Sequence, residues 1–413
     1  MADSSRNSKK HKGALVRKRP MKSGRKRRRG KVVRNVIVGI AAALAACYVL
    51  FVFSPIPALR NLRNLYIQTA MTTHSHKWLA EAFIPHDIID EVMSKLQKDE
   101  EDQQKLASKW DTDTKTTPAK KTVKKKNSFY TKYWELDTDS FKNYLKQHPE
   151  LTANGLNKLK IDNLNSAADI TSSKGDKILA VDAPNNTIIL GISGNGYVGK
   201  LAVVKDINQV SIQKSRYIGS HGEVAANYAS RYNAEVVINC NYFFDTGGHG
   251  SGGRIKGACV IDGKETAEPQ RGYWKFVGLK NDGKLYISNY YQTKISDYKW
   301  GIESLPSLVV DGKDVVDGKF MMGIQPRAAI GQTKTGDFLM LEIDGRQPGY
   351  SLGTTVAECK NILLRYKAYQ AQSVDGGSSS IMIYRGKQIT KPSSASSLGR
   401  FLPDVFVVKK VAQ

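Results

Sequence analysis

The residues best suited to chemistry lie near the C-terminal end. Arg327, Arg346 and Arg400 alternate with Asp344, Glu358 and Asp375, among glycine-containing turns. A guanidinium presents a planar fork that matches phosphate oxygens two at a time. A carboxyl group can move a proton or stabilise a developing cation. Together they suit a substrate that carries both a phosphate and a bond needing acid–base help. Asp375 opens the run Asp375-Gly376-Gly377-Ser378-Ser379-Ser380. Such glycines let backbone N–H groups approach an anion. The plain alternative is a tight loop whose Asp caps its own backbone. Each arginine has a surface salt bridge as its alternative. Arg327 precedes an apolar run and so begins a buried strand, where a charge needs a partner. Glu358 sits one turn into a helix and can also serve as a helix-dipole partner. Asp344 is as much a turn former as a site carboxylate.

A second set lies upstream. Asn239, Asn241 and Asp245 could orient sugar hydroxyls or a phosphate oxygen. The loop 246–253 is glycine-rich and contains His249. It is too irregular for a phosphate-binding P-loop. It could close over substrate, with His249 as a proton carrier or simply an exposed side chain.

Taken in order, these segments resemble the phosphodiester glycosidase family. The carrying motifs are Pro326-Arg327-Ala328-Ala329-Ile330-Gly331-Gln332, Asp344-Gly345-Arg346, Gly353 before a helix, Val374-Asp375-Gly376-Gly377-Ser378-Ser379 and Gly399-Arg400. Upstream, Val237-Ile238-Asn239 and Tyr242-Phe243-Phe244-Asp245 also fit, as do Gly252-Gly253, Asp262-Gly263 and residues 305–312. The resemblance covers about 170–410. It implies hydrolysis of a sugar-1-phosphodiester. Arg327, Arg346, Arg400, Asn239, Asn241, Asp245 and the loop Gly376, Gly377, Ser378, Ser379 would bind the substrate. Asp375 would be the first catalytic carboxylate, Glu358 the second, and Asp344 a third. Departures from the family pattern fall at Cys240, Asn241 and Tyr242, where it has glycines. Larger side chains there would reshape a pocket wall. No cofactor is assigned from the sequence. A divalent cation at Asp375 stays open, with no ligand count readable.

The elements that must position these groups begin after a distinct N-terminus. The 413 residues carry a net charge of +25. Residues 1–34 hold 15 Lys/Arg against one acid, Asp3, so removing their +14 leaves +11. Such a tail cannot bury a core. Residues 36–53 are apolar or small without a charge, long enough for one membrane-spanning helix. A basic flank before that helix places the tail in the cytoplasm and the rest outside. A nucleic-acid role for the tail is not expected, because no aromatic side chains are interleaved with its charges. Cys47 falls in the apolar span. Cys240 and Cys259 could pair if their strands neighbour each other, and Cys359 reads as a buried free thiol. No C-x-x-C pair suggests zinc.

Five regions follow: a tail (1–34), a membrane span (35–58), membrane-proximal helices with a charged linker (59–127), an accessory segment (128–169) and a phosphodiester glycosidase-like domain (170–413). His74 and His76 do not share one helix face, and so read as a polar junction rather than metal ligands. Residues 97–127 would hold the catalytic domain away from the membrane. Short β-prone runs from 178 onward, separated by turns such as Asn281-Asp282-Gly283, Asp311-Gly312 and Arg385-Gly386, predict many hairpin-linked strands. Helices are expected over about 223–231 and 355–367. The fold class is α+β, with mixed, largely antiparallel sheets and a few packed helices behind one transmembrane helix. The resemblance to membrane-anchored, exopolysaccharide-associated members implies a bacterial surface enzyme. The rival reading is a non-hydrolytic surface protein that binds or helps assemble phosphate-containing glycans. Asp375→Asn separates the two.

Overall fold

The computed structural model describes residues 24–73, 76–110, 128–164, 169–316 and 322–411. The expectations for residues 1–23, for His74 and for the basic linker 111–127 lie outside these. The chain divides into two units, Met1–Arg63 and Asn64–Gln413. In the first, α1 (Gly24–Phe53) includes Lys31–Phe53, which is long and apolar enough to cross a membrane. A signal sequence near the N-terminus meets the same criterion. Its apolar side chains face outward, with Leu44 66% exposed.

The second unit contains most of helix α2 (Pro57–Met71) and all of α3 (His86–Asp102). Its framework is a nine-stranded sheet. Three strands matter most: β3 (Arg327–Thr333), β4 (Phe338–Ile343) and β5 (Ala368–Val374). They lie side by side with β3 central and antiparallel to both neighbours. Two strands complete the site frame: β1 (Tyr197–Val204), beside β4, and β2 (Ala234–Asn239), in a separate five-stranded sheet. In that smaller sheet β2 pairs with β6 (Asp404–Lys409). A third sheet, also of five strands, holds Cys259–Ile261 and Lys275–Lys280.

Every residue of β3, β4 and β5 is buried, because both faces of the large sheet are covered. Leu339, Leu341 and Ile343 join one apolar cluster with the helix Val356–Arg365 (α4). Phe338 and Met340 join the other, with Val236, Val277 and Phe406 from the smaller sheets. This alternation follows from the period of two in an extended chain. The architecture is α+β with antiparallel sheets, as expected from the sequence. The three turns Asn281-Asp282-Gly283, Asp311-Gly312 and Arg385-Gly386 each connect an antiparallel pair.

Two segments pack more closely than their composition suggests. Lys160–Asp162 adds an edge strand to the nine-stranded sheet, and Phe129, Tyr133 and Phe141 enter its core. The accessory segment therefore builds the same sheet that carries the site. Residues 103–110 do not stand off as a linker. The Gln103 amide donates to the Ser307 carbonyl and accepts from the Ser307 N–H, and Trp110 donates its indole N–H to Leu285. The Gln103 amide, whose polarity suggested solvation, is spent on backbone groups of the domain.

Candidate active site

The site forms where β3, β4 and β5 begin or end together. Ala328 of β3 stands opposite Glu342 on one side and Val374 on the other. Asp375 follows Val374 directly, and Arg327 precedes Ala328. Antiparallel register thus gathers a guanidinium and two carboxyls from separate strands.

Asp375 is half-buried, yet its Oδ2 is buried and has no hydrogen-bond partner among the described residues. Burial raises its pKa to about 7, the Ser379 hydroxyl and Arg400 pull it down, and Asp245 pushes it up. The Asp375 carbonyl accepts from the Asn239 amide, and Asn239 Oδ1 accepts from the Ile381 N–H. Asn239 is fully buried. It therefore clamps both ends of the Asp375 loop and presents nothing to solvent. Within that loop the N–H groups of Gly377, Ser379 and Ser380 donate to Pro326, Gly376 and Gly377 carbonyls. These amides are turned to the protein, so the Ser378 hydroxyl and the flanking arginines carry more of any anion binding.

Arg400 is held bidentately. Its Nη1 lies 3.0 Å from Asp245 Oδ2 and 3.0 Å from Ser378 Oγ, and its Nη2 lies 2.9 Å from Asp245 Oδ1. Both partners of this pair keep little exposure, 13% and 11%. Arg346 flanks the loop from the other side and is itself exposed. A Cβ placed on Gly377, whose φ is +61°, would lie 3.3 Å from its Nη2. Gly377 thus lets the guanidinium lie against the backbone. Arg327 is buried and donates to three carbonyls: Thr354 at 3.2 Å, Met322 at 2.6 Å and Gly323 at 2.8 Å. Burial lowers the pKa of Arg327, and desolvation of the inner part of the Arg346 side chain, with the nearby Arg327 charge, lowers that of Arg346.

The remaining sequence candidates stand differently. Asn241 is buried, with its backbone N–H and its amide both donating to Asp404. Asp344 is buried, accepting from Tyr350 Oη at 2.8 Å and the Lys391 N–H at 2.8 Å. Burial raises its pKa, and those two donors oppose the rise. Glu358 accepts from Tyr197 Oη at 2.7 Å and from the Asn361 amide at 3.0 Å. Its N–H receives the Thr355 cap. Its two carboxylate partners thus lie on β1 and on α4 itself, away from the Asp375 loop. The bulky residues at 240–242 are spent structurally. Cys240 is buried, and Tyr242 packs edge-on to Trp274 while donating to Leu305. All four cysteines are free thiols. Among the described residues no group of three or more His, Cys, Asp or Glu could hold a metal ion.

One site group escaped the sequence reading. Glu342 is completely buried, and neither oxygen has a hydrogen-bond partner among the described residues. Burial raises its pKa well above the ordinary range, and the charges of Asp344 and Asp375 raise it further. The available signal was an acid in phase with Phe338 and Met340, within an otherwise apolar strand. A cleft of about 270 Å³ is lined by Ile218, Phe244, Arg254 and Gln270, among others, and by none of the site groups above.

Residues 232–409 match the family model described as phosphodiester glycosidase, less than half of the chain. The match supports a phosphodiester glycosidase domain over these residues, with hydrolase activity on glycosidic linkages. Among curated proteins no relative matches. Several solved structures do. The zebrafish N-acetylglucosamine-1-phosphodiester alpha-N-acetylglucosaminidase catalytic domain, auto-inhibited by its pro-peptide, is 19% identical. That match covers 55% of this chain and 83% of the other, with a TM-score of 0.45. A Burkholderia pseudomallei protein described as exported is 16% identical, covering 52% and 74%, with a TM-score of 0.37. A Synechocystis protein is 13% identical, covering 58% and 65%, with a TM-score of 0.41.

Proposed function

We propose that this chain hydrolyses sugar-1-phosphodiester linkages in a cell-surface or extracellular glycan. Its apolar helix α1 would anchor it, with the basic tail in the cytoplasm and the catalytic unit outside. The family match supports the bond type. The basic flank of α1 supports the orientation. A bacterial envelope polymer is the substrate class this orientation favours.

The observation that carries the reading is Asp375, a carboxyl with a pKa near 7 and an unpartnered buried oxygen, in a loop that has Arg346 against Gly377 and Arg400 against Ser378. A proton-transfer group works best when its pKa lies near the working pH. Asp375 would take the proton of the attacking water. Arg346, Arg400 and Ser378 would hold the phosphate and stabilise its charge as it departs. Preorganised donors act strongly in a site that excludes water. A departing phosphate paired in this way needs little protonation. Glu342 would act through Asp375 rather than on the substrate. It is fully buried, and that burial favours its neutral form, which would add no second negative charge when Asp375 ionises.

The test uses the full chain in detergent with a panel of sugar-1-phosphodiesters. Release of free sugar by the wild type, abolished in Asp375→Asn, supports the reading. Tight binding of phosphorylated glycan with no release by either protein would replace hydrolysis with a binding role.

A further inference from the structure

Arg327 and Arg346 share an unusual support. Among the described residues neither has a carboxylate within ion-pair distance. Both are held by the loop 322–325 instead. Arg327 Nη2 donates to the Met322 and Gly323 carbonyls, and Arg346 Nη2 donates to Gln325 Oε1. A guanidinium whose partners are neutral is only as well placed as the loop that carries them.

That loop rests on the last turn of α2 and on Thr72 just beyond its end, more than 250 residues away in sequence. The Ile324 N–H donates to Thr69 Oγ1 at 3.0 Å. The Gln325 amide nitrogen donates to Thr72 Oγ1 at 2.8 Å and to the Thr69 carbonyl at 3.3 Å. The hydroxyl protons of Thr69 and Thr72 are directed to the carbonyls of Leu65 and Gln68, each at 2.6 Å. Each hydroxyl oxygen therefore turns its lone pairs outward, as acceptors for the loop. Gly323, at φ +68°, presses so closely that a Cβ there would lie 2.3 Å from the Thr69 Cα. Gln325 works as a relay, because one end of its amide is fixed on α2 and the other fixes Arg346.

We propose that Thr69 and Thr72 are positioning residues for phosphate recognition, acting through Gln325 and the loop 322–325 on Arg346 and Arg327. The inference rests on the phosphate role given to those arginines above. It places part of the site's specificity in a helix that lies outside residues 232–409, where the family match falls.

The experiment compares Thr72→Val, which keeps the shape but removes the acceptor, with Thr72→Ser, which keeps the hydroxyl. Full-length protein in detergent is assayed for KM and kcat on a sugar-1-phosphodiester. Binding of inorganic phosphate is measured separately by calorimetry. Thr72→Val is expected to raise KM and weaken phosphate binding by about tenfold, or about 1.4 kcal/mol, with kcat within about threefold and Tm little changed. Thr72→Ser should restore both constants to within about twofold of wild type. Gln325→Met breaks the relay from the loop side and should give the same loss. The double variant should be no worse than either single one, because all act on one path. Should Thr72→Val not fold, Gln325→Met decides alone. Unchanged KM and phosphate affinity in these variants would overturn the proposal, as would a fall in Tm with no change in either. Wild type that binds phosphate but releases no sugar would sink the hydrolytic reading alone. Wild type that releases sugar but binds no phosphate would sink this proposal alone.

Discussion

Replacing Asp375 with Asn should abolish hydrolysis and, at the same time, stabilise the folded protein in a pH-dependent way. The pKa of Asp375 rises from 3.8 to about 7 on folding, chiefly through burial. Above pH 3.8 the unfolded chain has released this proton, while the folded chain holds it until about pH 7. The native state therefore loses stability as pH rises through that window and is penalised by a constant amount above it. At 1.36 kcal/mol per pH unit, the penalty is about 1.7 kcal/mol at pH 5 and about 4 kcal/mol at pH 8. Asn carries no such penalty and fills the same volume. Thermal melts of both proteins at pH 5 and pH 8 should show the variant's advantage growing by about 2–3 kcal/mol over this range. Activity should fall by about 10² to 10⁴-fold, the usual contribution of one proton-transfer group. A stability difference that is flat with pH would refute the assigned burial. A variant that retains most of its activity would refute the assigned role.

Other expectations follow from the same geometry. Wild-type kcat should rise with pH through about 7, because Asp375 acts as a base; a rate that falls through that range would reverse its role. Glu342→Gln should change kcat by less than about threefold, since burial favours the neutral form that Gln mimics, whereas a loss as deep as that of Asp375→Asn would show that it ionises during turnover. Arg400→Lys replaces a bidentate fork by a point charge and should raise KM by about tenfold in steady-state assays. Glu358→Gln should leave kcat within about threefold and cost about 1 kcal/mol in urea melts, because its carboxylate serves Tyr197 and Asn361.

The sequence revealed the order of strands and turns well, because apolar alternation and Asn-Gly-like turns are local signals. The candidate site was legible in its loop residues for a related reason. Asp375, Arg346 and Arg400 stand beside glycines that only a special backbone path requires. Roles that depend on contacts from distant strands were hidden. Asn239 and Asn241 looked like ligands for sugar hydroxyls, yet their amides are spent on the Asp375 carbonyl and on Asp404. Glu342 was missed, because only register with Ala328 brings it toward Asp375. Gln103 to Trp110 looked like solvated linker, since composition cannot say that an amide will find Ser307.

The four thiols have one more consequence. Cys240, Cys259 and Cys359 are buried, and burial raises their pKa, so a folded chain offers alkylating reagents almost no thiolate at those positions. Cys47 of α1 is the exposed one. With Cys47 removed, the rate at which iodoacetamide consumes the remaining thiols becomes a clock for opening of the interior. Cys359 sits in the cluster above the large sheet and Cys240 and Cys259 in the one below it. Mapping the modified positions would therefore show whether the two layers come apart together or one at a time.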